Sequence, residues 1–213
     1  VYFSAGETEQ TLDLCRQLRA DQGPTFGHAL PFCWKVKPEV DLFASKLMPA
    51  RTDAYESFLD LLISSQQTAA TGKAWVQLVS LGNPISRSRV YEYVNYLLVT
   101  KQPGLALQVW RQAGPLAGLS DYQPSPENLI VNGNFSLPIL KAGFDWIYQK
   151  DRRISLALDP AQHHSGTRSL SISFDDAQIE DAGIRELVSV HPNRTYDFSA
   201  NFKAQQIEGA GGI

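Results

Sequence analysis

Paired carboxylates are the first residues of this chain whose types could support chemistry. Asp175-Asp176 and Glu180-Asp181 lie close together in one polar stretch. Glycosidic cleavage needs two carboxyls facing each other across a cleft, about 5–9.5 Å apart. Neighbours in a single loop do not set that geometry, so a solvated loop is the expectation. His163-His164 offers imidazole, but no Cys, Asp or further His stands at a supporting spacing, and a turn is expected there. Cys15 lies on an apolar helical stripe and reads as a small core residue rather than a nucleophile. Its pairing with Cys33 is open if the compartment is oxidising. No Gly-x-Ser-x-Gly elbow or Walker loop occurs, and Gly209-Ala210-Gly211-Gly212 has no helix after it to hold phosphate. The sequons Asn134-Phe135-Ser136 and Asn193-Arg194-Thr195 bear only on a eukaryotic secretory pathway. The expectation is no catalytic residue, no metal and no cofactor.

Aromatic rings offer binding rather than catalysis. A partly exposed ring can stack on a pyranose face while polar side chains hold the hydroxyls. Phe144, Trp146 and Tyr148 recur at period two, which places them on one face of a predicted strand. A core face is the ordinary reading of that pattern. The polar row Asp197, Ser199, Asn201 and Lys203 ordinarily reads as a solvated face. If a glycan is bound, Trp146, Tyr148 and Asn201 are the candidate contacts. In the first half of the chain, Tyr91, Tyr93, Tyr96, Trp75 and Trp110 read as packing residues.

Those residues must be positioned by a chain of 213 residues, 43% hydrophobic and 19% charged, with formal net charge −3. This is ordinary globular composition, in one large domain or two modest ones. Nineteen Lys+Arg against 22 Asp+Glu leave no basic surplus for nucleic-acid phosphates. No apolar run approaches the roughly 18–20 residues that cross a bilayer. Two cysteines cannot staple a fold of this size. The chain opens on Val1 with no signal-type segment, through processing or a cut from a longer chain, and closes on Glu208–Ile213 with no docked element, so truncation at that end is the expectation.

Residues 1–118 carry helical spacing. Leu12, Cys15 and Leu18, then Phe58, Leu61 and Leu62, recur at three- and four-residue intervals. Gly23-Pro24, Pro31, Pro38, Pro49, Gly82-Asn83-Pro84, Pro103-Gly104 and Gly114-Pro115 are expected helix boundaries. Six or seven short helices follow. Tyr55-Glu56, Leu61-Leu62 and Gln66 recur as Tyr91-Glu92, Leu97-Leu98 and Gln102 at an offset of 36, and Trp75 recurs as Trp110 at 35. Tyr55 and Tyr91 are therefore expected in equivalent places, as are Trp75 and Trp110. Helix pairs at such a period resemble the tetratricopeptide-type solenoids, with repeats of about 34 residues.

Residues 119–127, with Pro124 and Pro126, read as an extended linker. Beyond them the period becomes two. Leu170, Ile172 and Phe174 alternate with serines, and Tyr196, Phe198, Ala200 and Phe202 alternate with polar residues. Strands are expected at 129–132, 144–149, 154–158, about 169–174, 183–190 and 195–207. The opening Asn128-Leu129-Ile130-Val131-Asn132-Gly133-Asn134-Phe135 carries a resemblance, followed by Phe144-Asp145-Trp146, His164 through Ile172, and Val188 through Tyr196. In that order they resemble the jelly-roll carbohydrate-binding modules of bacterial xylanases and cellulases, within the galactose-binding-like group. The resemblance implies an antiparallel β-sandwich of about eight strands, with the last strands beyond Ile213. Such modules often place an acidic calcium ligand where this chain has Ser136, so no metal is expected.

The reading is thus an α+β chain of two domains. Residues 1–118 form a tetratricopeptide-like helical repeat domain, 119–127 a linker, and 128–213 an incomplete jelly-roll-like β-sandwich. The function expected is a non-catalytic binding or scaffold protein, bacterial, polysaccharide-associated and extracytoplasmic. Its helical half would hold a peptide or protein and its β half a glycan, with no nucleic acid and no membrane span. The alternatives are a pure protein-interaction scaffold and, third, a fragment of a larger glycan-active enzyme.

Overall fold

In the computed structural model, residues 5–20, 25–175, 179 and 181–206 are described. Asp176, Glu180 and the glycine-rich run 209–212 lie outside them, as do Gly23-Pro24 and the end of the expected strand at Ile207. The chain divides into two units, Val1–Ser120 and Asp121–Ile213. The protein is α+β and mostly helical.

The first unit begins with α1 (Ala5–Ala20) and α2 (Thr25–Val36). Leu12 and Cys15 of α1 are buried, as are Phe26, Leu30, Cys33 and Trp34 of α2, at helical spacing. A disulfide joins Cys15 to Cys33. Pro31 lies inside α2 and does not end it. Its ring forgoes one helix hydrogen bond and crowds the Gly27 carbonyl, and the helix still runs on to Val36. The short α3 (Val40–Leu42) runs into a single π turn, Phe43–Leu47. That turn buries Phe43 and Leu47. Phe43 stacks on Phe58 at 5.5 Å, and Trp34 meets both rings edge-on.

Two helix pairs follow, α4 (Thr52–Ser64) with α5 (Thr68–Ser80), and α6 (Arg87–Val99) with α7 (Pro103–Ala113). Each helix of the second pair starts 35 residues after its counterpart in the first. Trp75 and Trp110 are each the eighth residue of their helix and both are buried. The expected equivalence of Tyr55 and Tyr91 fails. Tyr55 is the fourth residue of α4, buried, and donates to the Ala44 carbonyl at 3.1 Å. Tyr91 is the fifth residue of α6, half-buried and stacked on Trp110. One residue turns the helix by about 100°, so Tyr55 corresponds to Val90 and Phe58 to Tyr93. The core between α5 and α6 includes a polar link: Tyr93 donates to Thr71 Oγ1 at 3.1 Å, and Thr71 to the Thr68 carbonyl at 2.7 Å. Burial pushes the Tyr93 hydroxyl up to about 12.

In the second unit, β1 (Ile147–Tyr148) pairs antiparallel with β4 (Ile184–Arg185), and β2 (Ile154–Asp159) with β3 (Ser169–Phe174). The β2–β3 register sets Ile154, Leu156 and Leu158 opposite Phe174, Ile172 and Leu170, so one face of the ribbon is apolar. The boundary between the units falls within residues 119–127, where Leu119 and Tyr122 are buried and Tyr122 donates to the Pro138 carbonyl at 2.8 Å.

The strands expected at 144–149 and 183–190 shorten to Ile147–Tyr148 and Ile184–Arg185, and two further expected strands do not form. Residues 129–132 form turns, because side-chain amides take the backbone groups a ladder would use. Asn128 Oδ1 accepts the Ile130 N–H, and the Asn132 amide both accepts from Leu137 N–H and donates to its carbonyl. Residues 195–206 form no ladder. Their alternation supplies an apolar face but no partner, and Phe198 and Phe202 stand 78% and 73% exposed.

Candidate functional site

The Asn128–Ser136 turns dock on the loop between β2 and β3. Thr167 N–H donates to Ser136 Oγ at 3.1 Å, and the Arg168 guanidinium donates to the Ser136 carbonyl. Gly166, at φ +72°, lies so close to Ser136 Oγ and the Asn134 amide that a Cβ there would collide with both. Two separate sequence segments, the Asn-Gly-Asn-Phe opening and the Ser-Gly-Thr-Arg turn, thus meet in space.

The aromatic candidates gather beside these turns, though not on one strand face. Phe144 lies in a turn and is buried. Trp146 precedes β1, is half-buried, and packs at 5.0 Å against Phe135. Its indole N–H is buried with no acceptor. Tyr148 is half-buried on β1, and the Lys141 ammonium sits 4.1 Å above its ring, a cation–π contact. Asn201 is exposed in the segment that forms no ladder, and no hydrogen bond or ring contact joins it to Trp146 or Tyr148 among the described residues. Trp146 and Tyr148 thus have separate ring partners, Phe135 and Lys141.

The other chemistry-bearing residues are surface features. His163, His164, Asp175 and Asp181 are exposed. Asp181 accepts the Gly183 N–H at 2.7 Å, a local turn contact. Among the described residues no group of three or more His, Cys, Asp or Glu is placed to hold a metal ion, and no helix is long and apolar enough to cross a membrane.

Two features escaped the sequence reading. The first is a groove of about 450 Å³ across α1 and α2, lined by Thr11, Leu14, Leu18, Ala29, Phe32 and the Cys15–Cys33 bridge. Leu14 and Phe32 on its rim are 58% and 54% exposed. The signal was available, since Leu14 departs from the Leu12–Cys15–Leu18 stripe yet is apolar. The second is two acids, Asp145 and Glu186, one fully buried and the other half-buried. Asp145 is fully buried, its carboxylate accepting the Leu140 N–H at 2.5 Å and the Asn132 amide. Glu186, just after β4, accepts the Val131 N–H at 2.6 Å. Burial raises both carboxyls above their ordinary range, and the Asp145 charge adds to the effect on Glu186, which reaches about 7. Its signal was parity: Glu186 falls in step with Ile184, Val188 and Val190 on the apolar side of the expected strand.

Comparison of the chain with protein-family models, curated proteins and solved structures finds no match.

Proposed function

We propose that this chain is a non-catalytic binding protein whose helical unit docks an apolar peptide or protein segment. The observation that carries the reading is the groove across α1 and α2, with Leu14 and Phe32 exposed on its rim. Isolated exposed apolar residues are common, but two large ones flanking a concave apolar channel favour a helix-in-groove partner. The repeated pairs α4–α5 and α6–α7 support the solenoid-like, tetratricopeptide-type part of the proposal. The Cys15–Cys33 disulfide supports an extracytoplasmic location, because such bonds persist in oxidising compartments. Selection from a displayed library of amphipathic helical peptides tests the docking role. Binders should carry apolar anchors at three- and four-residue spacing and lose affinity on Leu14→Asp or Phe32→Asp. Binders indifferent to both substitutions would sink it.

A second reading, a glycan site on a jelly-roll-like second domain, is favoured by Trp146 and Tyr148, two half-buried rings close together in the chain with Lys141 over one of them. The docking of the Asn128–Ser136 turns on the 165–168 turn supports the carbohydrate-module resemblance. A glycan array separates the readings, since a hit weakened by Trp146→Ala belongs to the second alone.

A further inference from the structure

Asp145 is a fully buried carboxyl and Glu186 a half-buried one, and among the described residues neither has an ion-pair partner. Asp145 Oδ1 and Glu186 Oε2 are both buried and have no hydrogen-bond partner. The two side chains share one corner: Glu186 is held by the Val131 amide, Asp145 by the side chain of the next residue, Asn132, and the Asp145 charge bears on Glu186. Around Asp145 the remaining partners are the amides of Leu140 and Trp146, which are uncharged. Four cations of this unit are engaged elsewhere or face solvent. Arg168 donates to the Ser136 carbonyl, Lys141 covers the Tyr148 ring, Arg153 pairs with Asp151, and Arg185 is exposed.

Two ionised carboxylates cannot share a buried corner without a counter-charge, because desolvation and like-charge repulsion act together. A protonated carboxyl gains an O–H donor and can bond to a neighbouring carboxylate. A proton on either carboxyl would supply the donor that these orphaned oxygens lack. We propose that Asp145 and Glu186 form a carboxyl–carboxylate pair holding one proton, and that this proton latches β4 to the turns at 128–137. Glu186 reaches from the end of β4 to Val131, and β4 pairs with β1, which carries Tyr148 and follows Trp146. Loss of the proton leaves two charges in the corner, so Glu186 withdraws toward solvent and the β1–β4 pairing loosens around the two aromatic rings.

The sign follows from linkage. The folded chain keeps the Glu186 proton up to about pH 7, whereas the unfolded carboxyl releases it near its ordinary 4.5. The folded state binds the extra proton between those values, so the contribution is complete below about 4.5 and is lost as pH rises through about 7. The β unit is therefore tightest in mildly acidic solution.

Carboxyl carbon NMR of the full chain, labelled at glutamate and assigned through the backbone, reads the pair directly. The Glu186 resonance should titrate near 7, and Asp145→Asn should move its midpoint down. The Trp146 indole N–H peak should shift with the same midpoint. In Glu186→Gln, that midpoint should vanish and the fall in thermal midpoint between pH 5 and 8 should flatten. Titration of Glu186 near 4.5 in the wild type would overturn the latch, and needs no variant to fold. Calcium chloride that raises the wild-type thermal midpoint at pH 8, but not that of Glu186→Gln, would overturn it in favour of a cation.

Discussion

The helical unit and the β unit bury their apolar residues by different routes. In the helical unit, each amphipathic helix closes its stripe against a neighbour only a short turn away in the chain. Trp75, Tyr93, Val94, Leu97, Val109 and Trp110 are all essentially inaccessible as a result. Beyond Ser120, the buried hydrophobic residues among those described are only Tyr122, Val131 and Phe144. Ile172, Phe174, Phe198 and Phe202 remain exposed. Helices satisfy their own backbone and need only a face to pack on, whereas strands need an edge partner and a facing layer. The β unit is consequently far less dry than the helical one among the described residues.

The largest effect that sharpens this contrast is truncation of the repeated tryptophans. Trp75→Ala and Trp110→Ala should each destabilise the helical unit by about 3–5 kcal/mol, measured by thermal or urea unfolding. Trp75 should suffer somewhat more, since its indole N–H also donates to Gln112 at 2.8 Å. A loss below about 1 kcal/mol at either position would break the picture of a dry helical core.

The disulfide gives the next effect. Cys15 and Cys33 are 18 residues apart, and closing a loop of that length stabilises by about 3 kcal/mol through the unfolded chain. Reduction, or the double change Cys15→Ser with Cys33→Ser, should lower stability by that order. Hydrogen exchange should place the loss in α1 and α2, with the β unit unchanged. Equal loosening of both units would dissolve the comparison.

How far the fold can be read from residues follows the same division. Trp75 and Trp110 are legible because a large apolar side chain in an amphipathic run has only one face to occupy. The tyrosines mislead because identical letters at offset 36 were matched, while the helices repeat at 35 and place Val90 in the Tyr55 position. The strands at 154–159 and 169–174 are legible from alternation, since each is the other's partner. Residues 195–206 alternate as clearly, yet alternation names a face and never the strand that will pair with it. At 129–132 the asparagines decided the outcome, and their competition with the backbone is invisible to a count of apolar positions. Of the candidate site, the half-burial of Trp146 and Tyr148 lies between the core face and the exposed platform that their spacing allows. Asp145 and Glu186 were not legible, because a carboxyl inside an apolar pattern looks like an interruption until its burial is seen.

Trp146 tests the β unit at intermediate scale. A half-buried ring packed on Phe135 should cost about 1–2 kcal/mol when truncated to Ala, less than either core tryptophan. If a glycan binds, its affinity should fall by a similar amount in the same variant. A loss of about 3–5 kcal/mol with no sugar binding in the wild type would make Trp146 a core residue like its helical counterparts.

The smallest effect addresses the repeat itself. Gln66 and Lys101 each follow a helix with positive φ, 56° and 60°. Their surroundings match bond for bond. Gln66 and Gln67 N–H reach the Ile63 and Leu62 carbonyls at 3.0 and 2.8 Å, and Lys101 and Gln102 N–H reach Leu98 and Leu97 at 3.1 and 2.8 Å. This is the paired hydrogen-bond closure that usually places glycine at the left-handed position. A residue with a Cβ is strained there by about 1–2 kcal/mol, while glycine loses up to about 1 kcal/mol more backbone freedom on folding. Gln66→Gly and Lys101→Gly should therefore each stabilise the helical unit by about 0.5–1 kcal/mol, and by equal amounts within error. Urea unfolding of the two single variants and the double reads this directly, and additivity is expected because the sites share no partner. Opposite signs at the two positions would show that the turns are not copies of one unit, and the 35-residue repeat would be a coincidence of helix lengths.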